Sequence, residues 1–350
     1  RTDDKPQVSE KALEVGREII SKLSIQAFPR VIQIIFRGMS VESKWKSKVG
    51  SLTLLGDYID RVEKYDRDLL SSCLPELIRA LTDIIYDTKH EVSELAEQVL
   101  RKAMRGITNR DLEPFVEDLI KAMKNRDETE ETIQKLGGIV FVQTVEGSAL
   151  SVVIPLMIAG LRESRSQVKR MCSRIVSNMS KLVEDPLEAK PFLCDLIPTL
   201  GLALDTIPDP EARSVATKTH EFLVALDKKA NDIEGTMEFR KPIHISYHIA
   251  ERTKLDKTDS NVVYCAQIVA SLIQTKTTEK EEYLDELTPY LENMGADLSI
   301  VDFLYEQSQK VINVIGKEEE EDDEGELLCD CEFTLAYGTK ILLHNTKLRL

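Results

Sequence analysis

Little in this chain favours sheet. Aromatics make up 5% of the 350 residues, tryptophan occurs once, at Trp45, and only 15 glycines and 12 prolines punctuate the sequence. So few turn formers and aromatic strand formers argue against the common all-β folds and leave helix as the expected state. Cysteine is sparse as well: Cys73, Cys172, Cys194, Cys265, Cys329 and Cys331 are spaced as neither a disulfide framework nor a zinc ribbon. Cys329 and Cys331 would share one face of a strand, but without a second Cys or His pair they read as reduced core thiols. No apolar run approaches the ~18 residues of a membrane span. The longest, Val152 to Leu161, falls well short.

Catalytic signatures are missing too. The chain has no G-x-x-x-x-G-K-[ST] phosphate loop, no G-x-S-x-G nucleophile turn and no H-E-x-x-H pair, so an enzyme activity of its own is not expected. His244 and His248 stand four apart, but no Glu follows His244 and no Cys pair lies near, so no metal site is expected there. The sequon at Asn178 falls on an expected helix and is read as chance.

What is present in quantity is charge, unevenly placed. The formal net charge is −15, yet residues 1–235 hold 34 Lys and Arg against 38 Asp and Glu, while residues 236–350 hold 12 against 23. The acidity therefore belongs to the last third, much of it in the run from Glu318 to Glu326, which reads as a solvated linker because like charges in series repel. A near-neutral first part leaves room for a local basic patch.

The first two thirds carry a repeat. Proline recurs beside apolar residues at Pro29, Pro75, Pro114, Pro155 and Pro198, spacings of 46, 39, 41 and 43 residues, a period of HEAT-type helix pairs. Proline fits the first turn of a helix, where its missing N–H is not needed, or bends a longer helix along a curved stack. After each, a polar turn leads into a second amphipathic helix, expected near Glu42, Lys89, Asp127, Arg165 and Asp209. Val168, Cys172, Ile175, Val176 and Met179 recur at spacings of 3 and 4, one stripe that a single pair cannot cover, so stacking is obligatory. Five such pairs would form a curved rod of about 50 Å, a surface rather than a pocket for chemistry.

Basic residues gather around those repeats: Lys44, Lys46 and Lys48 on the first, Arg101, Lys102 and Arg105 at the end of the second, and Arg162, Arg165, Lys169, Arg170 and Arg174 on the fourth. Stacking that brings equivalent turns into register would make them a phosphate-contacting ladder. The competing expectation is an ordinary solvated face, since neighbouring acids cancel part of the charge. Trp45 is expected to anchor the core. Helical periodicity returns in Val262–Thr275, Lys280–Asn293 and Ile300–Ile315, which with one earlier helix make a small bundle.

After the acidic run, alternation from Leu327 to Leu350 reads as a two-stranded hairpin turning at Tyr337-Gly338. The stretch Cys329-Asp330-Cys331-Glu332-Phe333-Thr334-Leu335-Ala336-Tyr337-Gly338-Thr339-Lys340-Ile341-Leu342-Leu343, preceded by the acidic run and the repeats, resembles the fungal-type translation elongation factor 3 family. That resemblance implies an ATP-binding-cassette ribosomal ATPase of which this chain is the N-terminal portion, ending before the phosphate loop. The expected fold class is then all-α: a HEAT solenoid over 1–235, a four-helix bundle over 236–317, an acidic linker over 318–326, and the opening β-strands of the first cassette over 327–350.

The resemblance also implies function. The solenoid would dock on the small ribosomal subunit through rRNA and ribosomal proteins, so that the cassettes promote release of exit-site tRNA. In the complete parent protein Tyr337 would stack on adenine, with ATP and magnesium as cofactors; in these residues no cofactor is expected. Expected partners are the ribosome and another elongation factor, with no membrane and no DNA, and the chain is expected to be a cytoplasmic monomer. The alternative is a protein-only HEAT scaffold or adaptor, for example a regulator of a translation-control kinase.

Overall fold

A computed structural model describes residues 6–236, 238–321, 330–337 and 340–349, with side chains described for 7–233 and 238–313. Among the described residues fifteen α-helices follow one another: α1 (Pro6–Lys22), α2 (Phe28–Arg37), α3 (Trp45–Tyr65), α4 (Arg67–Ile84), α5 (His90–Ala103), α6 (Val116–Lys124), α7 (Thr129–Gly137), α8 (Gly147–Leu161), α9 (Ser166–Ser180), α10 (Pro186–Thr206), α11 (Pro210–Thr236), α12 (Pro242–Thr253), α13 (Ser260–Gln274), α14 (Lys280–Asn293) and α15 (Ser299–Glu321). Two strands follow among the described residues, β1 (Asp330–Tyr337) and β2 (Lys340–Arg349). The molecule divides into two compact units, Arg1–Ile312 and Asn313–Leu350.

Pairs α2/α3, α4/α5, α6/α7, α8/α9 and α10/α11 are the expected repeats, and their second helices begin within a few residues of the expected positions. Second helices stack on second helices, α3 on α5 and α7 on α9 on α11, while first helices stack as α4 on α8 on α10. The third pair is short, nine residues in each helix, so α4 reaches α8 across it. One continuous apolar core from Ile20 to Leu226 results. Helix α8 is buried on nearly every side, as an all-round apolar sequence demands. At Gly160 a Cβ would stand 2.5 Å from both Cys172 Sγ and Ile133 Cδ1, so glycine is what lets α8 approach its neighbours this closely.

The prolines serve in two ways. Pro29 lies in the first turn of α2, and Pro114 sits in a 3-10 turn before α6, but Pro75, Pro155 and Pro198 lie inside α4, α8 and α10. Those helices start upstream, and at α4 and α10 an Asx cap ends the preceding turn. Asp66 Oδ1 accepts from the Leu69 N–H at 2.8 Å and Asp185 Oδ1 from the Leu187 N–H at 2.9 Å, satisfying donors that the first helical turn leaves orphaned.

Helices α12 and α14 pack on α13, and α15 meets α12 through Phe303 and α14 through Tyr305; α13 also docks on the first repeat. Ser271 Oγ donates to Gln26 O at 2.9 Å, and α13 packs on the 3-10 turn Ile25–Ala27, α2 and α4. Val262, Cys265, Ile268, Val269 and Leu272 are fully buried, because one face of α13 meets the bundle and the other meets the solenoid. Helix α15 runs to Glu321, through the first residues of the acidic run.

The fold class needs one correction. The expected opening of a nucleotide-binding cassette is not seen: this is a helical, HEAT-like architecture, and the described residues beyond α15 form only one antiparallel hairpin. Asp330 stands opposite Arg349 and Tyr337 opposite Lys340, with an irregular register between Phe333 and Ala336. Among the described residues no further strand joins either edge, and two strands alone cannot bury a core or build a nucleotide site.

Candidate nucleic-acid interface

The stacked second helices fix where each basic side chain goes. Lys48 Nζ donates to Asp87 Oδ2 at 2.7 Å, which sets the N-terminal end of α3 beside that of α5. Lys102 Nζ reaches Asp60 Oδ2 at 2.5 Å and Arg105 Nη1 reaches Glu63 Oε2 at 2.9 Å, which sets the C-terminal ends side by side. At 1.5 Å per residue these two sets of contacts lie about 18 Å or more apart along α3. The residues expected to form one ladder therefore occupy two opposite rims.

Lys44, Lys46, Lys48, Arg162, Arg165, Lys169 and Arg170 belong to the rim at the N-terminal ends of the second helices. Arg165 pairs with Glu130 in the first turn of α7, and Arg170 Nη2 with Glu211 Oε1 at 2.5 Å in the first turn of α11. Arg174, further along α9, donates to Gly137 O at 2.9 Å. Arg101, Lys102 and Arg105 belong to the other rim; Arg101 bridges Glu97 and Glu117, and those hydrogen bonds raise its pKa above the ordinary value.

Burial separates the members further. The side chains of Lys48 and Asp87 are only 13% and 11% exposed. Burial pushes the Asp87 carboxyl up, but the Lys48 ammonium and the Lys89 backbone N–H outweigh it and hold it below the usual carboxylate value. Lys169 is 6% exposed and donates to Thr206 Oγ1. Lys48 and Lys169 thus act as internal clasps between repeats. Lys44, Arg162, Arg165, Arg170 and Arg174 are exposed, and Lys44 and Arg162 have no side-chain partner among the described residues.

One residue on this rim was assigned differently by sequence. Trp45 is 40% exposed at the first position of α3, next to Lys44 and Lys46, rather than anchoring the core. The flanking lysines were the available signal, since a stripe that must meet a neighbouring helix seldom starts between two ammonium groups. The Tyr337 side chain lies outside the described residues. His248 stacks against Phe239 and Phe303 instead of facing His244, and no cluster suited to a metal occurs among the described residues. No single described helix is long and apolar enough to cross a membrane.

Parallel second helices, contacts that recur at separations of 35 to 43 residues and one core running through successive pairs define a HEAT-type α-solenoid. Comparison with known proteins makes the class specific. A model described as the elongation factor 3 N-terminal HEAT repeat matches residues 1–100, and one described as the elongation factor 3/GNC1 HEAT repeat matches residues 127–234. Over its whole length the chain is 32% identical to elongation factor 3B of Saccharomyces cerevisiae, covering 34% of that protein. Over 99% of its length it is 34% identical to elongation factor 3 of Phytophthora infestans, again 34% of that protein. The chain belongs to the elongation factor 3 family through its HEAT-repeat region, and it spans about a third of the length of the curated relatives it matches.

Proposed function

We propose that this chain is a ribosome-docking module of a translation elongation factor, holding the small subunit through rRNA phosphates and ribosomal proteins so that the remainder of a full-length factor can act on exit-site tRNA. What carries the reading is the exposed basic rim at the N-terminal ends of α3 and α9, Lys44, Arg162, Arg165 and Arg170, on a chain similar along its whole length to elongation factors. Helix N-termini add their own positive end to that rim. The half-exposed Trp45 offers a flat face beside it for a base or sugar. Its place of work is the cytoplasm, where ribosomes translate, and ATP and magnesium act in segments other than this one.

Buried Lys48 and Lys169 and the carbonyl-bound Arg174 are left to hold the repeats together. The protein-only adaptor keeps one observation in its favour: Arg165 and Arg170 are already paired with Glu130 and Glu211, which lowers the local positive charge.

Co-sedimentation with purified ribosomes and separate subunits at about 50 and 200 mM salt decides between them, since phosphate contacts weaken steeply over that range. The docking reading expects salt-sensitive pelleting with the small subunit, lost when Arg162, Arg165 and Arg170 are all changed to Glu. Pelleting that ignores those changes would remove the rim from the interface. No pelleting at either salt would favour the adaptor.

A further inference from the structure

Where α13 and α14 meet the first repeat, a cleft of about 440 Å³ opens, a size at which small-ligand sites begin. Asp66, Asp68, Glu282, Asp285 and Glu286 line it, and no Lys, Arg or His does. Two of these carboxylates already have work in the fold: Asp66 caps α4 and accepts from Gln26 Nε2 at 2.9 Å, and Glu286 accepts from Ser24 Oγ. Asp68, Glu282 and Asp285 are exposed and have no side-chain partner among the described residues.

A second observation points to a ligand. Gln26, only 8% exposed, also lines the cleft, and its Oε1 is buried with no hydrogen-bond partner. Turning the amide over would set its oxygen against the Asp66 carboxylate, so the orphan atom is an acceptor. A buried acceptor beside five carboxylates calls for a positively charged N–H donor. The carboxylates are not grouped tightly enough for a metal ion among the described residues, so the complement is charge spread along a chain. Ile25, Leu272 and the Tyr65 ring supply apolar wall for the methylene stem that such a donor carries.

We propose that this cleft binds an ammonium or guanidinium group borne on a flexible aliphatic stem, the shared chemistry of a Lys or Arg side chain in a basic protein segment and of a polyamine. The inference does not rest on the ribosome-docking reading, which uses another face and the opposite charge.

Isothermal titration calorimetry on the full 350-residue chain tests it, using a pentalysine peptide, the same peptide with every Nε acetylated, and spermidine. Pentalysine should bind at about 20 mM salt, with acetylation weakening it at least about tenfold. Asp68→Asn with Asp285→Asn should weaken it about fivefold to tenfold, while Asp127→Asn with Glu128→Gln, the same charge change on the third repeat, should alter it less than about twofold. Gln26→Met should also weaken it, with the exposed aspartates intact. Spermidine binding with the same sensitivity assigns the cleft to polyamines; pentalysine binding alone assigns it to a protein segment. Absence of binding by both probes, or equal loss in cleft and control variants, overturns the proposal, the second because any chain of net charge −15 attracts cations diffusely.

Discussion

The stacked rims of the repeats and the cleft beneath α13 and α14 are both rich in charge, and they use it in opposite ways. On the rims, cations of one repeat meet anions of the next, as in Lys48 with Asp87, Lys102 with Asp60, Arg105 with Glu63 and Arg170 with Glu211. In the cleft five carboxylates face one space with no cation among the lining residues. Opposite charges at a repeat-length separation hold the stack in register. Asp66 and Glu286 also hold the fold together, but Asp68, Glu282 and Asp285 have no partner in it among the described residues and are retained at its expense, which fits a surface for a ligand.

The sharpest way to break that contrast is to unpair a rim. Lys48→Met leaves the Asp87 carboxylate nearly buried with only backbone help and should cost roughly 2–3 kcal/mol in urea unfolding. The pH dependence has a definite sign. Because the native Asp87 value is depressed, its stabilisation is present above the free carboxyl value of ~3.9 and drains as pH falls through the lower native value. The variant should lose that acid-side slope.

A smaller effect is expected at Glu188, whose Oε2 accepts from the Gly147 N–H at 2.6 Å and so caps α8 from the next repeat. Burial raises its pKa, only partly offset by that hydrogen bond. The native state then binds the extra proton in the window between the free value of ~4.3 and the raised one, and stability falls as pH rises through it. Glu188→Gln keeps the acceptor and removes the charge. Its urea midpoint should exceed that of the parent at pH 7, with the gap closing below about pH 4.

Exposed rim pairs should matter less still. Arg170→Ala removes a pair whose side chains are 46% and 70% exposed and should shift stability by less than about 0.5 kcal/mol, so that any loss of ribosome pelleting reports contact and not unfolding. Smallest of all, and opposite in sign, Asp68→Asn with Asp285→Asn should raise the urea midpoint slightly at low salt. About 0.5 M salt should erase the gain, because it comes from relieving repulsion between solvated charges. A lower midpoint would mean that the cleft carboxylates are structural after all.

How much of this was legible in sequence differs by element. The stripe Val168, Cys172, Ile175, Val176 and Met179 is buried along α9 as its spacing requires, since a 3.6-residue period is a local property of the chain. The proline period marked the repeats correctly, but Pro75, Pro155 and Pro198 lie inside helices; for Pro75 and Pro198 the reason is capping by Asp66 and Asp185, which outcompetes a proline signal several residues downstream. The basic cluster was visible, and its division was not. Lys44 and Lys48 are one helical turn apart, and only the neighbouring repeat decides that Lys48 turns inward to Asp87 while Lys44 stays exposed.

By itself the sequence determined the helices, the repeat period and the family, because each is written in short-range pattern or in similarity along the chain. Tertiary structure decided which charges are clasps and which are free, and it placed Gln26 of the first repeat against Asp285 and Glu286 of α14. Helix α13 is apolar over most of its surface, so most of it had to be covered. Which surfaces cover it depends on closing a loop of more than 200 residues, and no local pattern encodes that choice.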